Sequence, residues 1–195
     1  MILTDRGTVA QLSEQELIAR CMNGDLEAFG RLFERYELSI YRYAYHMMGD
    51  PDEADDIKQD TFVKAYRALP GFRGECAILT WLLKVAGNLC RDRHKMRSRR
   101  QEAPLAEIEF DIPASGENDG DPLRLLERED LRASVQRVLQ GMPKHRRELM
   151  VLRDLEGLSY QQIAEVLNCS VAGVKLRLFR ARRNFKERME ALQAM

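Results

Sequence analysis

The sequence predicts an all-α protein built as two small helical domains joined by a flexible acidic linker. Three observations carry this expectation. Apolar residues recur at helical spacing in both halves, without the alternation that marks a strand. Capping and breaking residues stand where those helices should begin and end. Charge is segregated within a chain of zero formal net charge: residues 91–100 hold six Arg or Lys and one Asp, whereas residues 102–130 hold ten Asp or Glu and two Arg. The expected bounds are 13–100 for the first domain, 101–122 for the linker and 123–190 for the second domain.

Each element has a local reason. Ser13 followed by Glu16 is a capping box, in which the hydroxyl accepts from an early backbone N–H and the carboxylate reaches back, so a helix starts there and ends near Asn23-Gly24. Leu26, Phe29, Leu32, Phe33, Tyr36, Ile40, Tyr43, Ala44 and Met47 then trace a long core helix that Gly49-Asp50-Pro51 breaks. A third helix runs from about Asp52 to Leu69. Its early carboxylates, Asp52, Glu53, Asp55 and Asp56, favour the positive end of the helix dipole, and Pro70-Gly71 terminates it. After the loop GFRGECAI, Thr80 is expected to cap a fourth helix that starts apolar, with Trp81 packing into the core, and finishes almost wholly basic.

From Gln101 to Pro122 the chain is rich in acid, Gly and Pro and poor in bulky apolar residues, a composition that cannot offset the entropy of ordering by burial. Helical periodicity returns near Leu123 and closes near Gly141. A further helix is expected from Pro143, a good first-turn residue, to Glu156-Gly157.

Composition excludes several function classes. The chain has 195 residues, 45% hydrophobic and 32% charged, enough for one core or two small ones. No run approaches the ~18 apolar residues of a membrane span, and the start MILTDRGTVAQLSEQE lacks a leader pattern, so a cytoplasmic location is expected. Cys21, Cys76, Cys90 and Cys169 form no C-x-x-C pair and read as reduced thiols. Cys90 and His94 lie four apart, but no second half of a metal site is visible. With three histidines, no glycine-rich phosphate loop and no G-x-S-x-G, neither a catalytic residue, a metal, a cofactor nor a small-molecule substrate is expected.

The last third of the chain has the layout of a helix-turn-helix. Ser159 and Gln162 form a second capping box, Ile163, Val166 and Leu167 face inward, Asn168-Cys169 makes the turn and Ser170 caps the final helix. At about 100° per residue, Val171, Val174, Leu178, Ala181 and Phe185 share one arc. Ala172, Leu176, Arg180 and Arg183 lie opposite, with Lys175 and Arg177 toward the edges. Small residues at the helix start allow close approach, and cations placed after them suit the phosphates and guanine edges of a major groove. A basic amphipathic helix can also be merely soluble or lie on a membrane; the capped helix and tight turn before it favour DNA.

Two stretches carry a family resemblance. DDIKQDTFVKAYRALPGFRGECAILTWLLKVAGNLCRDRHKMRSRR resembles region 2, and MPKHRRELMVLRDLEGLSYQQIAEVLNCSVAGVKLRLFRARR resembles region 4, of bacterial RNA polymerase sigma factors of the extracytoplasmic function group in the sigma-70 family. The resemblance implies a dissociable subunit that joins core RNA polymerase, reads two elements of promoter DNA and helps open the duplex. It implies polymerase docking through Asp56, Gln59, Asp60 and Val63. It implies minus-10 recognition through Gly74, Glu75, Cys76, Ala77 and Ile78, a loop that takes a flipped base, and through Asn88, Arg91, Arg93 and Lys95. Minus-35 recognition is implied for Lys175, Leu176, Phe179 and Arg180, with Arg177 and Arg182 near phosphates. Ile78 and Leu79 stand where better-known members often carry aromatic residues, and Leu176 departs from a frequent small polar residue. The resemblance also implies control by an anti-sigma factor, commonly membrane-bound, and a linker threading the polymerase channels. The alternative reading is a stand-alone helix-turn-helix regulator whose first domain senses a ligand or dimerises.

Overall fold

The computed structural model describes residues 12–100 and 122–194. All regular structure in them is helical. The expected linker, apart from Pro122, lies outside the described residues.

The first bundle comprises α1 (Glu14–Met22), α2 (Leu26–Met48), α3 (Pro51–Ala68), a short 3-10 turn (Leu69–Gly71) and α4 (Ile78–Arg100). Its start follows the local chemistry: Ser13 Oγ accepts from Glu16 N at 3.3 Å while Ser13 N donates to Glu16 Oε2 at 2.8 Å. The Tyr36 hydroxyl donates to Glu14 and ties α1 to α2. Gly49, with φ 77°, ends α2 in the left-handed conformation that suits glycine, and Asp50 caps α3 by accepting from Glu53 N at 2.8 Å. Rings from α2 and α3 interlock, Phe33 against Phe62 at 4.5 Å and Phe29 edge-on to Tyr66 at 4.9 Å.

One expectation at the start of α4 is corrected. The helix begins at Ile78, so Thr80 sits inside it, buried, rather than at its cap. Ile78, Leu82, Leu83 and Ala86 share the inward face, and burying them fixes where the helix starts. Trp81 is half-buried and packs beside Phe72, with ring centroids 5.2 Å apart.

The second bundle comprises α5 (Pro122–Gly141), α6 (Lys144–Met150), a π turn (Val151–Leu155), α7 (Tyr160–Leu167) and α8 (Val171–Gln193). The helix expected to run unbroken to Glu156 widens over its last turn, where Glu156 N donates to Val151 O at 2.9 Å, before Gly157 closes it at φ 71°.

The two bundles pack directly on each other, α7 on α4 and α2 on α5, α6 and the π turn. Their buried residues form one continuous core from Leu17 to Ala181. The seam is polar as well as apolar. Gln136 Nε2 donates to Tyr45 O at 3.2 Å, Gln140 Nε2 to His46 O at 3.0 Å and Arg147 Nη1 to Met47 O at 2.5 Å. Side chains of α5 and α6 thus satisfy the carbonyls of His46 and Met47, which the end of α2 leaves without an intrahelical donor, and add a second donor to Tyr45 O, which already accepts from Gly49 N at 2.8 Å.

Candidate functional site

The helix-turn-helix is built by its caps. Ser159 Oγ accepts from Gln162 N at 3.2 Å and Ser159 N donates to Gln162 Oε1 at 2.8 Å, which starts α7. Asn168 takes φ 49°, a left-handed value that asparagine tolerates better than most residues, and Cys169 N bonds back to Ala164 O at 3.0 Å. Ser170 Oγ then accepts from Gly173 N at 3.1 Å and starts α8. Val174, Leu178 and Ala181 are buried, which leaves Lys175, Leu176, Arg177, Phe179, Arg180 and Arg182 exposed on the remaining faces.

These cations are not equivalent. Arg182 is held by Asp154 of the π turn, with Nη2 at 2.5 Å and Nε at 3.3 Å from the two carboxylate oxygens, an arrangement that raises its pKa. Arg183 bonds Glu187 at 2.9 Å, Lys186 lies 3.7 Å from Glu190, and Lys175 stands 5.9 Å from the centre of the Tyr160 ring. Arg177 and Arg180 enter no ion pair or hydrogen bond with the described residues. An exposed helix face with two uncommitted guanidinium groups beside small residues is suited to a polyanion.

In the first bundle, Gly74 turns the chain at φ 69°, while Arg73 and Glu75 lie 3.8 Å apart in solvent. Cys76 is half-buried, Ala77 exposed and Ile78 buried as the first residue of α4. Burial is the largest cause raising the Cys76 thiol pKa, with Glu165 of α7 adding to it. Beyond this turn, Asn88 Oδ1 accepts from Arg91 Nη2 at 2.7 Å, and Arg91 Nη1 reaches Glu148 of α6 at 2.6 Å. Arg93 lies 3.7 Å from Asp56, Lys95 3.8 Å from Asp92 and Arg97 2.8 Å from Glu53. The expected minus-10 cations therefore share one stretch of α4, each facing a carboxylate in this conformation.

The expected docking residues Asp56, Gln59, Asp60 and Val63 are all exposed on α3, while Ala54, Ile57, Thr61, Phe62 and Ala65 face the core. Gln59 Nε2 donates to Asp55 Oδ2 at 2.5 Å. The helix thus offers an acidic and amide surface with one exposed valine at its end.

Sequence reasoning missed the seam. Gln136, Arg147 and Glu148 are polar residues at buried positions, and their partners lie far away in the chain. The Tyr43 hydroxyl donates to Glu148 Oε1 at 2.9 Å, and His46 Nδ1 lies 2.7 Å from Gln136 Oε1. Arg147 also donates to Gln140 Oε1 at 2.6 Å and to Gln140 O at 2.7 Å, and burial lowers its pKa to about 10. Cys90 and His94 belong to this buried zone: burial pushes the thiol up to about 12 and, with Lys144, Arg147 and Arg97 nearby, the imidazole down to about 4. Among the described residues, no group of three or more His, Cys, Asp or Glu could hold a metal ion, and no helix is long and apolar enough to cross a membrane.

Comparison with known proteins adds sequence relations to this geometry. The family model for sigma-70 region 2 matches residues 32–100, and that for sigma-70, region 4, matches residues 132–185. The RNA polymerase sigma-H factor of Pseudomonas aeruginosa is 34% identical over 190 residues, covering 94% of this chain and 97% of the relative. The ECF RNA polymerase sigma-E factor of Escherichia coli K12 is 34% identical over 188 residues, covering 93% and 97%. Among solved structures, CnrH in complex with the cytosolic domain of CnrY is 25% identical with a TM-score of 0.67, over 91% of this chain and 97% of that one. The sigma factor RpoE from Bartonella quintana, in complex with the anti-sigma factor NepR, shares the fold at 22% identity and a TM-score of 0.67, over 83% and 96%.

Proposed function

The chain belongs to the sigma-70 family of RNA polymerase sigma factors, in its extracytoplasmic function group, and directs transcription initiation; from that premise we propose how its surfaces divide the work. Residues 13–100 form the unit that docks on core RNA polymerase through Asp56, Gln59, Asp60 and Val63 and captures the minus-10 element. The loop Gly74, Glu75, Cys76 and Ala77, with Ile78 beneath it, receives an unpaired base. Asn88 reads a base edge, while Arg91, Arg93 and Lys95 exchange their carboxylate partners for DNA phosphates. Residues 123–190 form the unit whose α8 enters the major groove of the minus-35 element, and residues 101–122 connect the two along the polymerase.

Two uncommitted guanidinium groups on an exposed helix face, Arg177 and Arg180, are the single observation that most favours this assignment. Arg180 is the base reader, because a guanidinium can bond a guanine at two points, and Lys175, Arg177 and Arg182 steady the duplex. The chain supplies no catalytic group of its own; strand opening draws on neutralised phosphates and captured bases, which compensate for broken pairs. The chain acts in the cytoplasm. Its activity is held by an anti-sigma factor, a proposal supported by the likeness to CnrH, whose structure contains the cytosolic domain of CnrY.

Run-off transcription with core polymerase on a promoter library tests the reading. Start sites at a fixed distance from a shared pair of motifs are expected. Random starts or no stimulation would overturn it.

A further inference from the structure

Arg182 is held differently from its neighbours on α8. Arg183 and Lys186 face Glu187 and Glu190, each four residues on in the same helix, whereas the partner of Arg182 is Asp154 of the π turn, 28 positions earlier. Two hydrogen bonds make the contact: Nη2 donates to Oδ1 at 2.5 Å and Nε to Oδ2 at 3.3 Å. A guanidinium carries five N–H groups in one rigid plane. Both hydrogens of Nη1 and one of Nη2 are therefore left without a partner among the described residues. The Arg182 side chain is 50% exposed and that of Asp154 30%. An ion pair this exposed contributes little to stability. Its position gives it another use. Lys175, Phe179, Arg182 and Lys186 follow the four- and three-residue spacing of one stripe along α8, and the stripe borders the start of α7, where Lys175 stands 5.9 Å from the centre of the Tyr160 ring. Cations along the edge of a groove-reading helix meet the sugar–phosphate backbone.

We propose that Asp154 is a positioning residue for promoter binding: it fixes the Arg182 guanidinium so that the N–H groups left over form a preset seat for one phosphate of the upstream element. This rests on the reading that α8 enters the major groove of that element. Asp154 is itself an anion beside a polyanion, and by charge alone its removal should tighten DNA binding. As a positioning residue it does the reverse. Without it Arg182 regains its rotamers and must surrender that freedom when the phosphate arrives, so a contact that was ready in advance is made at a cost. The two accounts differ in sign.

The test uses the full chain bound to core polymerase and a duplex carrying the upstream element that the wild-type holoenzyme selects from a randomised library. Asp154→Ala should weaken binding about threefold to tenfold, for selected and scrambled elements alike, because a phosphate contact carries no sequence information. Arg182→Ala should weaken it at least as much and lower the salt slope by about one. The cycle between the two decides the matter: Arg182→Ala should cost several times less in the Asp154→Ala background than in wild type. Asp154→Glu, which keeps two acceptor oxygens, should restore most of the affinity. Both side chains lie at the surface, so the variants should keep wild-type circular dichroism. If Asp154→Ala binds as tightly as wild type or more tightly, or if Arg182→Ala costs more in that background, the carboxylate merely neutralises Arg182 and the proposal falls. The groove reading survives that failure if Arg180→Ala still lowers preference for the selected element. If the wild-type holoenzyme enriches no element, the groove reading fails and the proposal falls with it.

Discussion

Arg91 and Glu148 meet at 2.6 Å across the seam between the two bundles, and Glu148 uses the same oxygen to accept from the buried Tyr43 hydroxyl at 2.9 Å. One carboxylate thus binds donors from α2 and α4. Glu148→Ala leaves Tyr43 without this acceptor and should cost about 1–3 kcal/mol, mostly through that buried hydroxyl, because solvent screens the half-exposed Arg91. Urea unfolding of the variant and wild type, with Tyr43→Phe completing a double-mutant cycle, measures it; a wild-type midpoint would contradict this account of the seam.

The same pair bears on DNA. Arg91 donates to Asn88 and Glu148 together, so engaging a phosphate competes with contacts already made. Glu148→Gln keeps the shape and removes the charge. The variant should bind single-stranded minus-10 DNA more tightly than wild type by about threefold to tenfold, the return of part of one charge-assisted bond. Arg91→Ala should bind it less tightly. Fluorescence anisotropy reads both, and equal affinities would separate Arg91 from DNA binding.

Two glycines within helices should respond oppositely to alanine. A Cβ on Gly87 would lie 2.8 Å from Tyr43 Oη and 3.0 Å from Glu148 Oε1, groups fixed by their own mutual bond, whereas a Cβ on Gly30 meets nothing within 4 Å. Gly30→Ala should gain up to about 1 kcal/mol from helix propensity alone. Gly87→Ala has the same propensity gain but wedges the seam, a strain of about 1–3 kcal/mol. Thermal melting should therefore rise for the first variant and fall for the second.

His94 sets a pH dependence. Its ordinary pKa is 6.5 and the fold holds it at about 4, chiefly by burial and then through Lys144, Arg147 and Arg97. Between those values the unfolded chain binds more protons than the folded one, so stability falls as pH drops from 6.5 toward 4. His46, lowered mainly by burial, acts in the same direction, while Glu53 and Glu156, raised by burial, oppose it nearer their own range. Subtracting the stability curve of His94→Gln from that of wild type isolates the histidine. The difference should slope only in this window.

Arg180 and Lys186 should also part company. Arg180 has no partner among the described residues, whereas Lys186 lies 3.7 Å from Glu190 at the far end of α8. Arg180→Ala should lower the preference for the upstream element by about 1–3 kcal/mol. Lys186→Ala should weaken binding slightly and equally for all sequences. Competition binding against scrambled DNA distinguishes them.

Much of this architecture is legible locally. The boxes at Ser13–Glu16 and Ser159–Gln162, the glycine stops at Gly49 and Gly157, and the inward arc of α8 follow from rules that span a few residues. Reading failed where distant packing overrode local preference. Thr80 is a good cap by type, but burial of Ile78 brings the helix start forward past it. The π turn inserts a wider loop where periodicity alone predicts an unbroken helix. Gln136, Arg147 and Glu148 give no local sign of burial, because their partners are about a hundred positions away. At the candidate DNA face, helical phase placed Leu176 and Arg180 outward, but nothing in the sequence distinguishes Arg182, held by Asp154, from the uncommitted Arg180.

The stopper on the last turn of α2 comes from elsewhere in the molecule, since Gln140 and Arg147 supply the donors that the carbonyls of His46 and Met47 need. Whenever the halves separate, water must take over those two acceptors and the helix tip loosens. Deuterium uptake at that tip would then serve as a resident gauge of how far apart the halves stand, readable without any label.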